Sequence, residues 1–345
     1  MAGSQRSTGM RDSDGTVQEP ASLDLTVLIC TYNRGNELGS AIESAVAQEA
    51  EGLSYEVLVV DNNSTDDTRA VVEGWIARSG ERIRLLSEPR QGKPYALNTG
   101  IAAARGALCA IIDDDQILPP DYAAGLVAAF RSRPDVTFVG GRVLPMWETE
   151  PPEWLTREHW SPIGMLDYGD EEFRIDAAMR RCLVTCAFRT AALRKIGGFD
   201  PKMFVSEDAE IQERLIDSGD SGVYLPHLTI YHRAPASRTS RRYFLRWHER
   251  HGRSRAIMRQ SSVERARIRF LDVPSHLYTQ AIRDLASFGA AVLRNDDDER
   301  FRYASRLRFF RGFLLQRVSD HFGRDGGDDS GGSGRLIGDT RPQPF

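Results

Sequence analysis

The sequence predicts an α/β fold in which a mostly parallel central sheet is covered by helices on both faces. Two observations carry that prediction. Short apolar runs rich in β-branched residues alternate with segments of helical periodicity. The last of these runs, Ala107–Ile112, is apolar along its length rather than at every second position, as a strand buried on both faces is. A third observation places a site on the fold. Three of the runs end in polar clusters, and ligands of such sheets gather at the C-terminal ends of the strands.

The elements follow in order. Leu25–Cys30 is a buried strand, and Asn36–Gln48 is a helix with Leu38, Ile42, Ala45 and Val46 at helical spacing. Tyr55–Val60 is the second strand, and Asp67–Ser79 the second helix, with Val71, Val72, Trp75 and Ile76 on one side. Arg82–Ser87 is the third strand, Pro94–Ala104 a helix and Ala107–Ile112 a fourth, fully apolar strand. Strand one ends in Thr31-Tyr32-Asn33-Arg34, strand two in Asp61-Asn62-Asn63-Ser64 and strand four in Asp113-Asp114-Asp115. All three clusters fall on the same sheet edge.

With 345 residues, 41% hydrophobic and 27% charged, the chain has the balance of a globular protein with a substantial core. A net charge of -4 implies no bulk attraction to nucleic acid. Cys30, Cys109, Cys182 and Cys186 lack the close CxxC pairing of zinc sites and read as core thiols. No run approaches the roughly 20 apolar residues that span a bilayer, and the N-terminus lacks a signal-peptide core. The expected location is therefore cytoplasmic, with contact at a membrane face left open. Residues 1–22 and 323–345 are polar and glycine-rich, as in a disordered leader and tail.

Three adjacent carboxylates repel one another, and ending a strand requires no such triplet. A divalent cation relieves the repulsion, and hard oxygen ligands suit Mg²⁺ or Mn²⁺ shared with a diphosphate. A solvated turn is the plainer reading. Neither GxxxxGK[ST] nor a GxGxxG after the first strand is present, which weighs against ATPase and dehydrogenase functions. Downstream, Glu207-Asp208 follows Gly197-Gly198-Phe199-Asp200 and opens a helix with Ile211, Leu215 and Ile216 on one face. A carboxylate there is a helix cap or a general base.

Taken in order, Thr31-Tyr32-Asn33-Arg34, the Asp61–Thr68 segment, Ala96-Leu97-Asn98-Thr99-Gly100, Asp113-Asp114-Asp115, Gly197-Gly198-Phe199-Asp200 and Glu207-Asp208 resemble the family 2 glycosyltransferases of GT-A fold, exopolysaccharide or cell-envelope type. The resemblance covers about residues 24 to 235. It implies a catalytic domain over 23–235, with a nucleotide-binding half (23–118) and an acceptor-binding half (119–235). It implies transfer of a sugar from a nucleotide-diphosphate sugar, UDP-sugars being favoured, to a hydroxyl of a glycan or polyprenyl-linked acceptor. By the same resemblance Asp61 and Thr31 contact the nucleoside, with Tyr32, Asn33, Arg34, Asn63, Lys93, Asn98, Asp113 and Asp114 around the donor. Asp115 and Asp113 match the DxD positions, with Asp115 the direct metal ligand, and His232 matches a late histidine near metal or diphosphate. Asp208 matches the base of inverting members and Glu207 supports it. Arg90, like Lys93, lies in a loop able to reach phosphate. Leu183-Val184-Thr185-Cys186 departs from the small Gly-Ala-Asn-like segment of relatives, so acceptor contacts do not transfer by analogy. Trp147, Trp154 and Trp160 either stack on sugar rings or pack a lid.

Residues 236–322 form the expected helical, basic extension. Residues 233–317 hold 20 Arg and no Lys against 8 Asp or Glu. Arg302–Val318 interleaves arginines with Phe309, Phe310, Phe313, Leu314 and Leu315. Such a helix either lies in a membrane interface or packs on the catalytic domain. Two other functions stay open at this point: a nucleotidyltransferase, and a non-catalytic sugar-nucleotide- or glycan-binding subunit of envelope assembly.

Overall fold

The computed structural model describes residues 23–203, 205–259 and 268–324; the expected leader and residues 325–345 of the tail lie outside the described residues. Strands β1 (Leu23–Thr31), β2 (Tyr55–Asp61), β3 (Ile83–Ser87) and β4 (Gly106–Asp113) are all parallel, in the spatial order β3-β2-β1-β4. Helices α1 (Gly35–Val46), α2 (Thr68–Ser79) and α3 (Lys93–Ala103) connect them. Every predicted element of this half is present, with ends shifted by at most two residues. Successive strand side chains point to opposite faces. Val27, Ile29, Val57 and Val59 therefore join Leu38, Ile42 and Val72 in one core, while Leu28, Cys30, Leu58 and Val60 join Ala96, Leu97 and Ile101 in a second. That is why β1, β2 and β4 are largely apolar on both faces.

The second half is built from shorter pieces: β5 (Gln116–Ile117), α4 (Tyr122–Ser132), β6 (Phe138–Gly140), β7 (Val143–Trp147), β8 (Phe173–Ile175), β9 (Ala187–Arg189), α5 (Thr190–Lys195), α6 (Glu207–Asp217), β10 (Gly222–Tyr224) and β11 (Ile230–Ala234). The large sheet continues β4-β9-β6-β10-β8. β9 runs antiparallel to both β4 and β6, and β8 antiparallel to β10, so parallel pairing gives way to mixed pairing here. α4 covers the first core, and α5 and α6 cover the second. A small sheet, β5-β11-β7, stands against the C-terminal end of β4.

Beyond β11 come α7 (Arg241–Met258), the hairpin β12 (Arg269–Phe270) and β13 (Val273–Pro274), α8 (Ser275–Leu293) and α9 (Asp297–Arg324). α7 and α9 touch backbone to backbone. A Cβ on Gly252 would lie 2.0 Å from the Phe309 carbonyl oxygen, and one on Gly312 would lie 1.9 Å from that of Glu249. The aromatic face expected on α9 is turned inward. Phe301 packs with Trp154 and Phe244, and Phe313 with Ala256 and Val273, while Phe309, Phe310 and Leu314 lean on the same cluster. The membrane reading of that face is thereby corrected: α7 and α8 already cover it. Trp154 sits 5.0 Å from Phe244 and 4.9 Å from Phe301, and Trp147 and Trp160 pack on the same cluster. These tryptophans fasten the extension to the α/β core, so the packing reading holds over sugar stacking. The four cysteines are free thiols; three are buried and Cys182 is half-buried.

Candidate active site

The C-terminal edge of the parallel sheet brings the predicted clusters together because β2, β1 and β4 are neighbours in register: Thr31 is opposite Asp61, and Cys30 opposite Asp113. The loops after β1 and β2 are stitched to each other. Asn33 N–H donates to Ser64 Oγ (3.0 Å), Thr65 N–H donates to Asn33 Oδ1 (2.7 Å), and Arg34 N–H donates to Thr68 Oγ1 (3.0 Å). Asn33 and Asn63 take positive φ to make these turns, a conformation that asparagine tolerates. Asp61 is buried and accepts from Ser64 N–H (3.0 Å), and Asn63 stands exposed at the loop tip. Tyr32 is half-buried beside them.

At the end of β4 the chain turns at Asp114 and Asp115 before β5, and the three carboxylates divide between two surroundings. Asp113 and Asp115 converge with His232, their ligand atoms all within 4.8 Å of one another. His232 Nε2 is 2.8 Å from Asp115 Oδ1, and its Nδ1 is 3.1 Å from the Gly164 carbonyl. That carbonyl fixes the ring, with Nδ1–H donating, and leaves Nε2 toward the carboxylates. His232 reaches this point because β11 pairs with β5, where His232 lies opposite Gln116 and Arg233 N–H donates to the Asp115 carbonyl (3.0 Å). Asp114 is the odd one out. It is 2% exposed, buried beside the Thr31 hydroxyl and Arg34.

Four of the residues expected near the donor are buried or bonded within the protein. Thr31 is fully buried and Asp114 nearly so, and both lie in the floor of the site. Asn98 is also committed elsewhere. Its amide donates to the Phe199 carbonyl (2.9 Å) and accepts from Phe199 N–H (2.8 Å), clamping the Gly197–Asp200 turn onto α3. Arg90, likewise, makes two bonds to Glu88 (2.9 and 2.8 Å) and stacks on Tyr95. Glu88 is held down to about 2 chiefly by those bonds.

Lys93 joins the two acidic clusters. Its Nζ lies 2.7 Å from Asp113 Oδ1 and 2.9 Å from Glu207 Oε1. Burial opposes its charge, but the two carboxylates outweigh burial and hold its pKa well above the usual lysine range. Asp208, the next residue on α6, is pushed up to about 7 by burial and by the neighbouring Glu207 charge, partly offset by Ala209 N–H and Lys93. A carboxylate lifted toward neutrality, at a helix N-terminus that ordinarily favours anions, is chemically able to accept a proton. Asp114 is also pushed up to about 7, by burial and then by Asp115, whereas Asp115 is driven below the usual carboxylate range by His232, Arg238 and Arg34 despite its burial.

Arg238 is the residue that sequence reasoning missed. Its guanidinium lies 2.9 Å from Asp115 Oδ2, on a short turn after β11, and Arg34 approaches the same carboxylate at 3.8 Å. No pattern in the sequence marks it; only the pairing of β11 with β5 brings it there. The unusual segment Leu183–Cys186 also meets the site. Gln212 of α6 bonds Leu183 on both backbone groups, and Gln116 Nε2 donates to Thr185 Oγ1 (2.8 Å).

Gly164 carries a testable consequence. Its φ is +71°, and a Cβ there would lie 2.7 Å from His232 Cε1. Gly164→Ala is expected to displace the imidazole and weaken Mn²⁺ affinity by about 10- to 100-fold, the usual cost of losing a ligand's supporting contact, as read by isothermal titration.

Two carboxylates and an imidazole form a donor set suited to a Mn²⁺ or Mg²⁺ ion, so the residues fit a divalent metal. Comparison with known proteins agrees with the fold. Residues 26–197 match the profile described as glycosyl transferase family 2. A glucosyl-dolichyl phosphate glucuronosyltransferase of Haloferax volcanii is 27% identical over 192 residues, 55% of this chain and 60% of that protein. The succinoglycan biosynthesis protein ExoO of Rhizobium meliloti is 39% identical over 134 residues, 36% of this chain and 37% of that one. The matches thus span less than two thirds of these relatives. Among solved structures, a Pyrobaculum calidifontis mannosyltransferase in complex with GDP-Man and Mn²⁺ superposes with a TM-score of 0.56 at 18% identity, covering 88% of this chain and 91% of that one. That likeness is one of fold. From the ordered motifs, the sheet edge they share and the profile match, the chain belongs to glycosyl transferase family 2, with a GT-A fold.

Proposed function

We propose that this protein transfers a sugar from a nucleotide-diphosphate sugar to a hydroxyl of a glycan or polyprenyl-linked acceptor, with inversion at the anomeric carbon. The observation that carries the reading is Lys93, which holds the DxD carboxylate Asp113 and the catalytic-pair carboxylate Glu207 within one side chain's reach. A metal-binding corner and a proton acceptor are thus adjacent, as group transfer from a diphosphate requires.

Asp113, Asp115 and His232 would hold the metal, and the imidazole favours Mn²⁺ over Mg²⁺. When bound, such an ion neutralises the diphosphate and stabilises the leaving group. Asp61 and the loops after β1 and β2 bind the nucleoside; UDP is the favoured base class by family resemblance. Lys93, Arg34 and Arg238 already surround the DxD carboxylates and are placed to pair with phosphate oxygens. Asp208 accepts the proton of the acceptor hydroxyl as its oxygen attacks the anomeric carbon and the bond to the diphosphate oxygen breaks. Glu207, paired with Lys93, keeps Asp208 in a negative surrounding that sustains its basicity. Among the described residues no helix is long and apolar enough to cross a membrane, and the proposed setting is the cytoplasmic face, where nucleotide sugars are supplied.

Product identity tests this reading. Incubation with UDP-, GDP- and dTDP-sugars plus Mn²⁺ is expected to release a nucleoside diphosphate from one of them, slowly with water and faster with acceptor. Release of pyrophosphate from a nucleoside triphosphate would make the protein a nucleotidyltransferase instead. Binding of a sugar nucleotide without turnover under any acceptor would make it a binding subunit.

A further inference from the structure

We propose that α8 is an interfacial docking surface for an anionic phospholipid bilayer. One side of this helix packs inward: Leu277 leans on the cluster of Phe313 and Val273, and Asp284 and Ala291 are buried. The opposite side is apolar and open. Ile282, Leu285, Ala286, Gly289 and Leu293 recur at three- and four-residue steps, so they share one face. Ile282 is 70% exposed, Leu285 61% and Leu293 89%, which is unusual for a run of large aliphatic side chains. Phe270, 66% exposed, lies against Tyr278 one turn before Ile282 and extends the same face toward the β12–β13 hairpin.

The charge pattern selects the occupant. His276, Arg283 and Arg294 are spaced by seven and eleven residues, close to whole numbers of helical turns, and so line one edge of the apolar face; all three are exposed, and Arg294, just past the end of the helix, also pairs with Glu299 at 2.6 Å. The acidic residue of the helix, Asp284, is buried and paired with Arg306 at 3.1 Å, leaving α8 no exposed carboxylate. Around it, residues 233–317 carry 20 Arg against 8 acids in a chain whose net charge is -4. An apolar stripe edged by Arg283 and Arg294 matches an interface of acyl chains beneath anionic headgroups. A second copy of the chain would instead bring the same arginine edge toward itself with no exposed acid on the helix to answer it. The surface therefore differs from the aromatic face of α9, which is packed inside. The inference rests on this surface alone and holds whatever reaction the site performs.

Flotation of the full-length chain with phosphatidylcholine vesicles, with and without about 30% phosphatidylglycerol, tests it directly. The wild type is expected to float with anionic vesicles, to bind neutral ones at least about tenfold more weakly, and to be released by salt. Ile282→Asp/Leu285→Asp is expected to lower binding by more than about tenfold, and Arg283→Gln to lower it less, both with unchanged melting because these side chains are exposed. Failure of the wild type to float with anionic vesicles would overturn the proposal, as would equal binding by the double variant. So would light scattering that shows a stable dimer dissociated by Leu285→Asp, since the face would then belong to a second copy.

Discussion

Asp208→Asn is expected to lower kcat by about 10²- to 10⁴-fold, the range that a positioned general base supplies, with little change in donor affinity. The substitution keeps the shape of the side chain and removes its ability to take a proton. The wild-type rate should rise with pH through a midpoint near 7, because burial and the Glu207 charge lift the Asp208 carboxyl to about that value. Stability gives an independent readout. A carboxyl whose folded pKa lies above its unfolded value costs stability when ionised, so the cost is full above about pH 7 and absent below the ordinary carboxylate range. Asp208→Asn is therefore expected to melt above the wild type at pH 8, and the gap is expected to close as the pH falls from 7 toward 4. An inactive variant that is less stable at every pH would assign Asp208 a structural role.

Asp115→Asn is expected to have an effect of comparable size for a different reason. Asp115 receives His232 at 2.8 Å, Arg238 at 2.9 Å and Arg34 at 3.8 Å, at 5% exposure. Neutralising it leaves two guanidinium groups and an imidazole facing a neutral amide in a buried corner. Removal of one partner from such a network costs about 3–5 kcal/mol. The variant should melt several degrees lower and should also lose the extra stability conferred by nucleotide with Mn²⁺. Asp114→Asn separates the two consequences. Asp114 points away from His232 and is expected to leave metal-dependent nucleotide binding within about threefold of wild type, a change of under 1 kcal/mol. Equal losses of metal response in the two variants would contradict the division of the triplet between the His232 corner and the buried floor.

The sequence made the nucleotide-binding half of the fold legible because its strands are long, buried on both faces and bounded by polar clusters. β1, β2 and β4 bury seven, six and five residues, and their ends define the site edge. β6, β8, β9 and β10 have three residues each, too few for periodicity to speak, and their mixed directions follow from tertiary pairing. The same limit applies within the site. Asp113, Asp115 and Asp208 were marked by their charge, whereas Arg238 depends on a two-residue pairing between β5 and β11. Asn98 looks like a ligand contact in the sequence because it sits in a site motif, yet both ends of its amide clamp Phe199. Trp154 illustrates the reverse case, an aromatic that reads as a sugar platform and is covered by Phe244 and Phe301 from segments 90 to 147 residues away.

The proposed function depends on the DxD corner and His232 forming a shared metal–diphosphate site. The most direct measurement is a thermal-shift screen of UDP, GDP, dTDP, CMP and ADP, each with Mn²⁺ and with EDTA, on wild type and Asp115→Asn. A ligand that binds only the native state raises its stability by about 2.7 kcal/mol at a hundredfold excess over Kd. The account predicts a clear Mn²⁺-dependent shift for one nucleoside diphosphate, abolished by EDTA and absent in Asp115→Asn. No shift with any nucleotide, or a shift that survives EDTA and the substitution unchanged, would contradict it.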